Sequence, residues 1–318
     1  MDRVWDCVVV GGGAAGLSAA LVLGRARRRT LLIDGGAQSN LPAHGIGGLL
    51  GHDGRPPAEL YALGRRELSE YPSVEVRTAE VTGGERADEL FVLQSDDGTV
   101  ERARRVVLAT GMQYRPPPLP GLAELWGRSA FHCPFCHGWE VRDQPLAVLA
   151  RGERAVHTAL LLRLWSDDVI LLTDGPADLD LAQRERLVAA GVRVDERVVV
   201  ELAAAGGSLD AVMFADGGRL PRAGILVATT LHQRSSLAEQ LGVAPGEPTP
   251  VAHNPVHVDG FYRTSAPGVF AAGDLIAQMP QVASAVAAGS AAAAAVVQSL
   301  VEEDFPAVVP EGSRNVNA

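Results

Sequence analysis

The chain has 318 residues, 47% of them hydrophobic and 21% charged, which suits two globular domains of ordinary size and excludes a disordered or fibrous chain. Its formal net charge of -10 argues against nucleic acid or an anionic membrane surface as partner. All 28 basic residues are arginine, which together with the abundant alanine reads as coding bias rather than chemistry.

In chain order, Asp6 to Val10 is a short apolar run that predicts a buried parallel strand, with Cys7 as a core thiol. Gly11-Gly12-Gly13-Ala14-Ala15-Gly16 follows at once, and Leu17 to Leu23 continues as a helix. Strand, glycine turn and helix in that order form a dinucleotide fingerprint. The glycines let backbone approach a pyrophosphate, and the helix N-terminus offers free N–H groups and a positive dipole end. A second strand, Thr30 to Ile33, ends at Asp34, where a carboxylate accepts hydrogen bonds from a ribose.

Gly35 to Pro57 is rich in Gly, Pro and small polar residues, and its length predicts a ligand-wrapping loop. His44 and His52 within it read equally as loop hydrogen-bonders or as catalytic groups. Ala58 to Glu70 predicts an amphipathic helix. Short strands follow around Val74–Arg77 and Phe91–Gln94, with a turn at Asp96-Asp97-Gly98. Val106-Val107-Leu108-Ala109-Thr110-Gly111 predicts a buried strand closing on a tight turn. Arg115 to Pro120 is a stiff, proline-rich linker and a first domain boundary.

His132-Cys133-Pro134-Phe135-Cys136-His137 comes next and holds two of the three cysteines. Four readings compete. A redox-active disulfide fits the spacing, since the sulfurs can close a small ring or open it, and an adjacent imidazole can lower a thiol pKa or carry its proton. Cys-x-x-Cys-His is also a c-type haem attachment signature, but that belongs to exported proteins, and the polar start from Met1 to Asp6 predicts no signal peptide. Zinc would need four ligands, and no second Cys/His pair exists. A pair of inert buried thiols leaves the flanking histidines without a purpose.

Beyond the pair, Leu146–Ala150 predicts a strand, Glu153–Trp165 a helix, Val169–Leu172 a strand and Leu181–Ala190 a helix. Strands near Val198 and Val212 form a hairpin, and Gly224–Val227 returns toward the core. A second boundary falls around Pro245-Gly246-Glu247-Pro248. Thr264 to Asp274 predicts a strand closing on Gly273-Asp274, followed by an apolar helix from near Gln281 to about Leu300. Asp274 can bond the polyol of a flavin chain, and that helix N-terminus can face the electron-rich side of the ring. The alanine run Ala291–Val297 is too short to span a bilayer. A cytoplasmic location is expected.

The glycine fingerprint, Ala109-Thr110-Gly111, the Cys-x-x-Cys pair and Thr264–Asp274, in this order, resemble the low-molecular-weight thioredoxin reductases over nearly the whole length. The resemblance implies an α/β fold with two Rossmann-like, three-layer ββα dinucleotide-binding domains, one inserted in the other. An FAD domain would comprise residues 1–117 and 244–318, and the inserted domain, residues 118–243, would carry the disulfide. It further implies a homodimer and an FAD site built from Gly11, Gly13, Ala14, Ala15, Gly16, Asp34, Gly35, Asn40, Val81, Ala109, Thr110, Gly111, Gly273, Asp274, Gln281 and Val282.

Two departures qualify this. Those reductases have a second glycine fingerprint for NADPH, followed by arginines that clasp the 2′-phosphate. Here the sequence reads Ala150-Arg151-Gly152-Glu153-Arg154-Ala155, and the next strand ends in Thr173-Asp174-Gly175, where an acid repels a 2′-phosphate. The second departure is His137, where the reductases carry an aspartate. In both respects the chain is similar to flavin-dependent dithiol oxidases of the gliotoxin and holomycin type, which form intramolecular disulfides in natural products and pass electrons to dioxygen. The reaction this implies has a small-molecule dithiol attacking Cys133, Cys136 as the flavin-proximal sulfur, His137 (or His132) as base, and hydrogen peroxide as product. The alternatives are a thioredoxin-type reductase that serves a thioredoxin-like protein and draws on NADPH, ferredoxin or another donor, and a flavin redox sensor that does not turn over.

Overall fold

The structure, a computed structural model, describes residues 3–276 and 280–306, with the side chain of Glu153 left out. The last part of the expected FAD domain, residues 307–318, lies outside the described residues.

From the N-terminal side come β1 (Val4–Val10), α1 (Ala14–Arg25) and β2 (Thr30–Asp34), then a long series of turns up to α2 (Pro57–Leu68). β3 (Val74–Thr78), β4 (Val81–Ala87), β5 (Leu90–Ser95), β6 (Val100–Leu108) and β7 (Met112–Arg115) follow. α3 (Leu122–Leu125), β8 (Ala130–Phe131) and α4 (Pro134–His137) lead to β9 (Leu146–Leu149), α5 (Glu153–Leu162), β10 (Val169–Leu172) and α6 (Leu181–Ala189). The middle is completed by β11 (Arg193–Asp195), β12 (Val199–Ala205), β13 (Ser208–Phe214), β14 (Arg219–Pro221), β15 (Gly224–Val227) and β16 (Thr230–Gln233). α7 (Leu237–Gln240), β17 (Val269–Ala271) and α8 (Val282–Asp304) come last.

Two α/β units result. In the first, the order is β3-β2-β1-β6, all parallel, and the long β6 divides its outer edge. Its first half pairs antiparallel with β5, which continues to β4, and its second half pairs parallel with β17. The strand from the far end of the chain thereby joins the sheet begun by β1. Successive residues of β1 serve opposite faces, as a strand's alternation requires. Cys7 and Val9 pack with α1 and α8, whereas Val8 and Val10 pack toward the layer of β4 and β5. Cys7 is fully buried, and burial pushes its thiol pKa up, so it is a core side chain.

The second unit repeats the plan. Its parallel sheet runs β11-β10-β9-β15-β8, with the antiparallel trio β12-β13-β14 as a further layer. Ala147 and Leu149 face one core, Leu146 and Val148 the other. The antiparallel pair β7–β16 joins the units, so Arg115, expected in a linker, is the end of a strand.

Other boundaries also move. The expected strand over Thr264–Asp274 reduces to β17, because Thr264 and Ala266 enter a hydrogen-bonded turn. The helix expected to reach Trp165 ends at Leu162. β4, β8 and the four-residue α4 are further elements that the sequence pattern does not predict. The alanine-rich run belongs to a helix of 23 residues that is long and apolar enough to cross a membrane by length and composition, yet 44% of its apolar window is buried in the fold. Gly289 explains how α8 lies so close to α1, since a β-carbon there would come within 2.0 Å of the Ala15 carbonyl oxygen.

Candidate active site

The ends of β1, β2, β6 and β17 open onto one cleft, and the redox motif borders it from the second unit. At its centre lies the N-terminus of α1. No side chain caps this helix, no acid stands in its first turn, and its N-cap is Gly13. Its first N–H groups are therefore free to meet an anion. The turn is built by close approach. Gly11 has φ of 107°, and a β-carbon there would lie 2.3 Å from the Ala109 carbonyl oxygen. Gly16 likewise rests on the Gly11 carbonyl.

Gly11, Gly13, Ala14, Ala15, Asp34, Gly35, Asn40, Val81, Ala109, Thr110, Gly111, Gly273, Asp274, Gln281 and Val282 all line the cleft. Gly16 sits behind it as a packing residue. Asp34, expected to meet a ribose, already accepts from the Gly12 and Gly36 amides and from Gln38, and pairs with Arg65 at 3.1 Å. It staples the glycine turn to the following loop as well as facing the cleft. Asn40 accepts from Tyr61 through its carbonyl oxygen at 2.7 Å, which leaves its amide donors for a ligand. At the other end, α8 also begins without a side-chain cap, at Gln281. Two uncapped helix starts, with the buried Asp34 at one end and the half-buried Asp274 at the other, fit a long molecule with a central pyrophosphate, a polyol and an electron-rich ring.

Asp274 Oδ2 accepts from Tyr114 at 2.8 Å, and burial raises its carboxyl pKa against the opposing effects of Tyr114 and Arg234. Tyr114 and Trp126 line the same cleft and were not singled out by sequence. The only signal was that each is an aromatic residue near a motif.

Cys133 and Cys136 are joined in a disulfide with Cα atoms 5.3 Å apart, as the first of the four readings requires. Among the described residues no group of three or more His, Cys, Asp or Glu gathers to hold a metal. α4 begins at Pro134, where a missing N–H costs nothing, and turns Cys136 and His137 toward the cleft. Cys136 lines the cleft, while Cys133 is only 9% exposed.

The two histidines differ. His132 lies 4.6 Å from the Tyr114 ring and is stacked at 5.8 Å with Trp126, and burial lowers its pKa to about 4. His137 is stacked with Phe131, and both its ring nitrogens are buried without a hydrogen-bond partner. Burial lowers its pKa too, opposed by the Glu140 charge and by backbone groups of Gly127 and Cys133 that do not complete a hydrogen bond. Both rings are neutral at neutral pH. His44 is exposed, and His52 sits in the loop with a buried, unpartnered Nδ1, so neither joins the pair.

In the second unit, Gly152 starts α5 with φ of 63°, and Arg151 reaches the turn that follows β10. Its guanidinium bonds both the carbonyl and the carboxylate of Asp174, the latter at 2.9 Å. Arg154 turns inward to the Thr229 carbonyl.

The profile of the pyridine nucleotide-disulphide oxidoreductase family matches residues 5–290. The thioredoxin reductase tcpT of Claviceps purpurea (strain 20.1) is 31% identical over 306 residues, covering 92% of each chain. The crystal structure of HlmI superimposes with a TM-score of 0.90 at 40% identity, covering 96% of this chain and 95% of that one. An oxidoreductase from Agrobacterium tumefaciens gives a TM-score of 0.89 at 36% identity, covering 96% and 100%.

Proposed function

The chain belongs to the pyridine nucleotide-disulphide oxidoreductase family, thioredoxin reductase-like enzymes that bind FAD, and from that premise we propose that it oxidises a small-molecule dithiol to an intramolecular disulfide, with dioxygen as final acceptor. The observation that carries this is the Arg151–Asp174 contact. It ties together the two turns between which a nicotinamide dinucleotide would lay its pyrophosphate and ribose, and it uses a charged side chain where such a site needs bare backbone.

His137 supports the chemistry. A neutral, partnerless imidazole beside Cys136 is ready to accept a proton, and its own pKa keeps it in that state at neutral pH. One substrate thiol gives its proton to His137 and attacks Cys133 Sγ, and the Cys133–Cys136 bond breaks with Cys136 leaving as thiolate. The second substrate thiol attacks the mixed disulfide, expels Cys133 and closes the product ring. Two electrons have then moved from substrate to the cysteine pair, one proton to His137 and the other to the departing Cys133 sulfur. FAD held in the cleft that Cys136 lines would supply the two-electron acceptor chemistry, with dioxygen as the final oxidant and hydrogen peroxide as product. Asp274, Asn40 and the start of α1 would hold that cofactor.

A second reading, a reductase that acts on a protein disulfide, draws support from the name of the relative tcpT and from Phe135 and Trp139, which are exposed beside the pair. One experiment separates them. The FAD-loaded protein is mixed anaerobically with NADPH or with dithiothreitol while the flavin colour is followed. Bleaching by the dithiol, with peroxide on admitting air, is expected. Bleaching by NADPH would overturn the oxidase reading in favour of the reductase.

A further inference from the structure

Tyr114 belongs to β7, by which the chain leaves the first unit, and β7 is paired with β16, by which it returns. From this position one side chain reaches both sides of the cleft. Its hydroxyl donates to Asp274 Oδ2 at 2.8 Å, and its ring lies 4.6 Å from that of His132 at an interplanar angle of 53°. Asp274 follows β17 in the first unit, whereas His132 directly precedes Cys133 in the second.

The geometry points to Tyr114 as a positioning residue that couples the cofactor's acid to the redox pair: its hydroxyl orients Asp274, and its ring, with Trp126, fixes His132 and so the approach of Cys133–Cys136 to the cleft. A buried carboxylate needs its lone pairs oriented, and a tyrosine hydroxyl on one oxygen leaves the other for the polyol. The tilted Tyr114–His132 ring contact crosses between the units and resists displacement, which sets how the second unit sits at the start of its redox loop. Displacement of reacting atoms by about 1 Å costs on the order of a hundredfold in rate. The inference concerns electron exchange between flavin and disulfide in either direction, so it stands apart from which donor the cell uses.

The two halves of the tyrosine separate by substitution. Tyr114→Phe keeps the ring and loses the hydroxyl, while Tyr114→Leu loses both. Exchange is read anaerobically in the FAD-loaded protein in both directions, as recolouring of photoreduced flavin by the disulfide and as bleaching of oxidised flavin after dithiothreitol. FAD retention is read by dilution and gel filtration. Tyr114→Leu is expected to slow exchange about tenfold or more, with a melting temperature at saturating FAD equal to that of Tyr114→Phe. Tyr114→Phe is expected to recover most of that rate while losing FAD about fivefold more readily, as removal of a hydrogen bond to a charged group implies.

Exchange in Tyr114→Leu at the wild-type rate would overturn the coupling, as would Tyr114→Phe being as slow as Tyr114→Leu. Should Tyr114→Leu not fold, Tyr114→Phe still decides, because FAD retention equal to wild type removes the orienting role. Exchange in neither direction in the wild type overturns the inference outright. Bleaching by NADPH alongside intact exchange would instead sink only the oxidase reading.

Discussion

Gly47, in the long connection between β2 and α2, rests directly on Cys136: a β-carbon there would lie 2.8 Å from the Cys136 carbonyl oxygen and 3.3 Å from its Cα. The connection thus reaches from the FAD cleft to the redox pair. It is held compact by Ile46 and Arg55, whose backbones bond each other, and by the Asp53 carboxylate on the Gly48 amide. A second glycine contact has Gly127 against Pro42 and Ala43. Gly47→Val should push the two apart and slow flavin bleaching by dithiothreitol about tenfold, with a stability loss of roughly 1–3 kcal/mol. Stopped-flow absorbance and thermal melting check this, and an unaltered bleaching rate would mean the contact is idle.

Cys136 lines the cleft, and Cys133 does not. Serine at either position breaks the disulfide, but the consequences differ. Cys136→Ser should abolish bleaching by dithiols, because no sulfur then faces the cleft. Cys133→Ser should leave a lone thiol at Cys136 that perturbs the visible spectrum of the bound flavin without turnover. The spectra of the two variants, compared before and after dithiothreitol, decide the assignment. A spectral change in Cys136→Ser alone would reverse the roles.

His137 is lowered in pKa chiefly by burial. A base with a lowered pKa is active above that value and is lost as pH falls through it, so the acid limb of kcat/KM should lie below the ordinary histidine value of about 6.5. His137→Asn should reduce kcat/KM on the order of a hundredfold or more and erase that limb. A pH–rate profile with the limb intact in His137→Asn would assign the proton elsewhere.

His132 has a folded-state pKa near 4 against 6.5 for the free side chain. Between these values the unfolded chain binds the proton and the folded chain does not, so stability is complete above about 6.5 and declines as pH falls toward 4. The slope attributable to this residue is roughly 1.4 kcal/mol per pH unit at its steepest. Urea unfolding across this window, compared with His132→Phe, should show a shallower decline in the variant. Parallel curves would show that His132 titrates normally.

Asp34 carries the Gly12 and Gly36 amides, Gln38 and Arg65. Asp34→Asn keeps the shape but loses the charge that Arg65 faces and presents a donor to other donors. It should weaken FAD binding about tenfold, read by fluorescence of released flavin. Full retention would confine Asp34 to loop structure without a share in cofactor binding.

Features formed by residues close along the chain could be read from the amino acids alone. The turn from Gly11 to Gly16 was legible because strand, glycines and helix are contiguous, and backbone sterics fix what such a run can do. The cysteine pair was legible for the same reason, since three residues suffice to bring the sulfurs together. Less local facts were not. β4 escaped because Val81-Thr82-Gly83-Gly84 lacks apolar alternation, and its antiparallel pairing with β5 makes it a strand. The competition for Asp34 by Arg65, the difference between His132 and His137, and the reach of Tyr114 to Asp274 exist only after distant segments pack. Arg151 and Asp174 stood out singly in the sequence, but only the parallel pairing of β9 with β10 sets their turns side by side. Burial decides charge state, and burial is a property of the assembled layers rather than of any local run of residues.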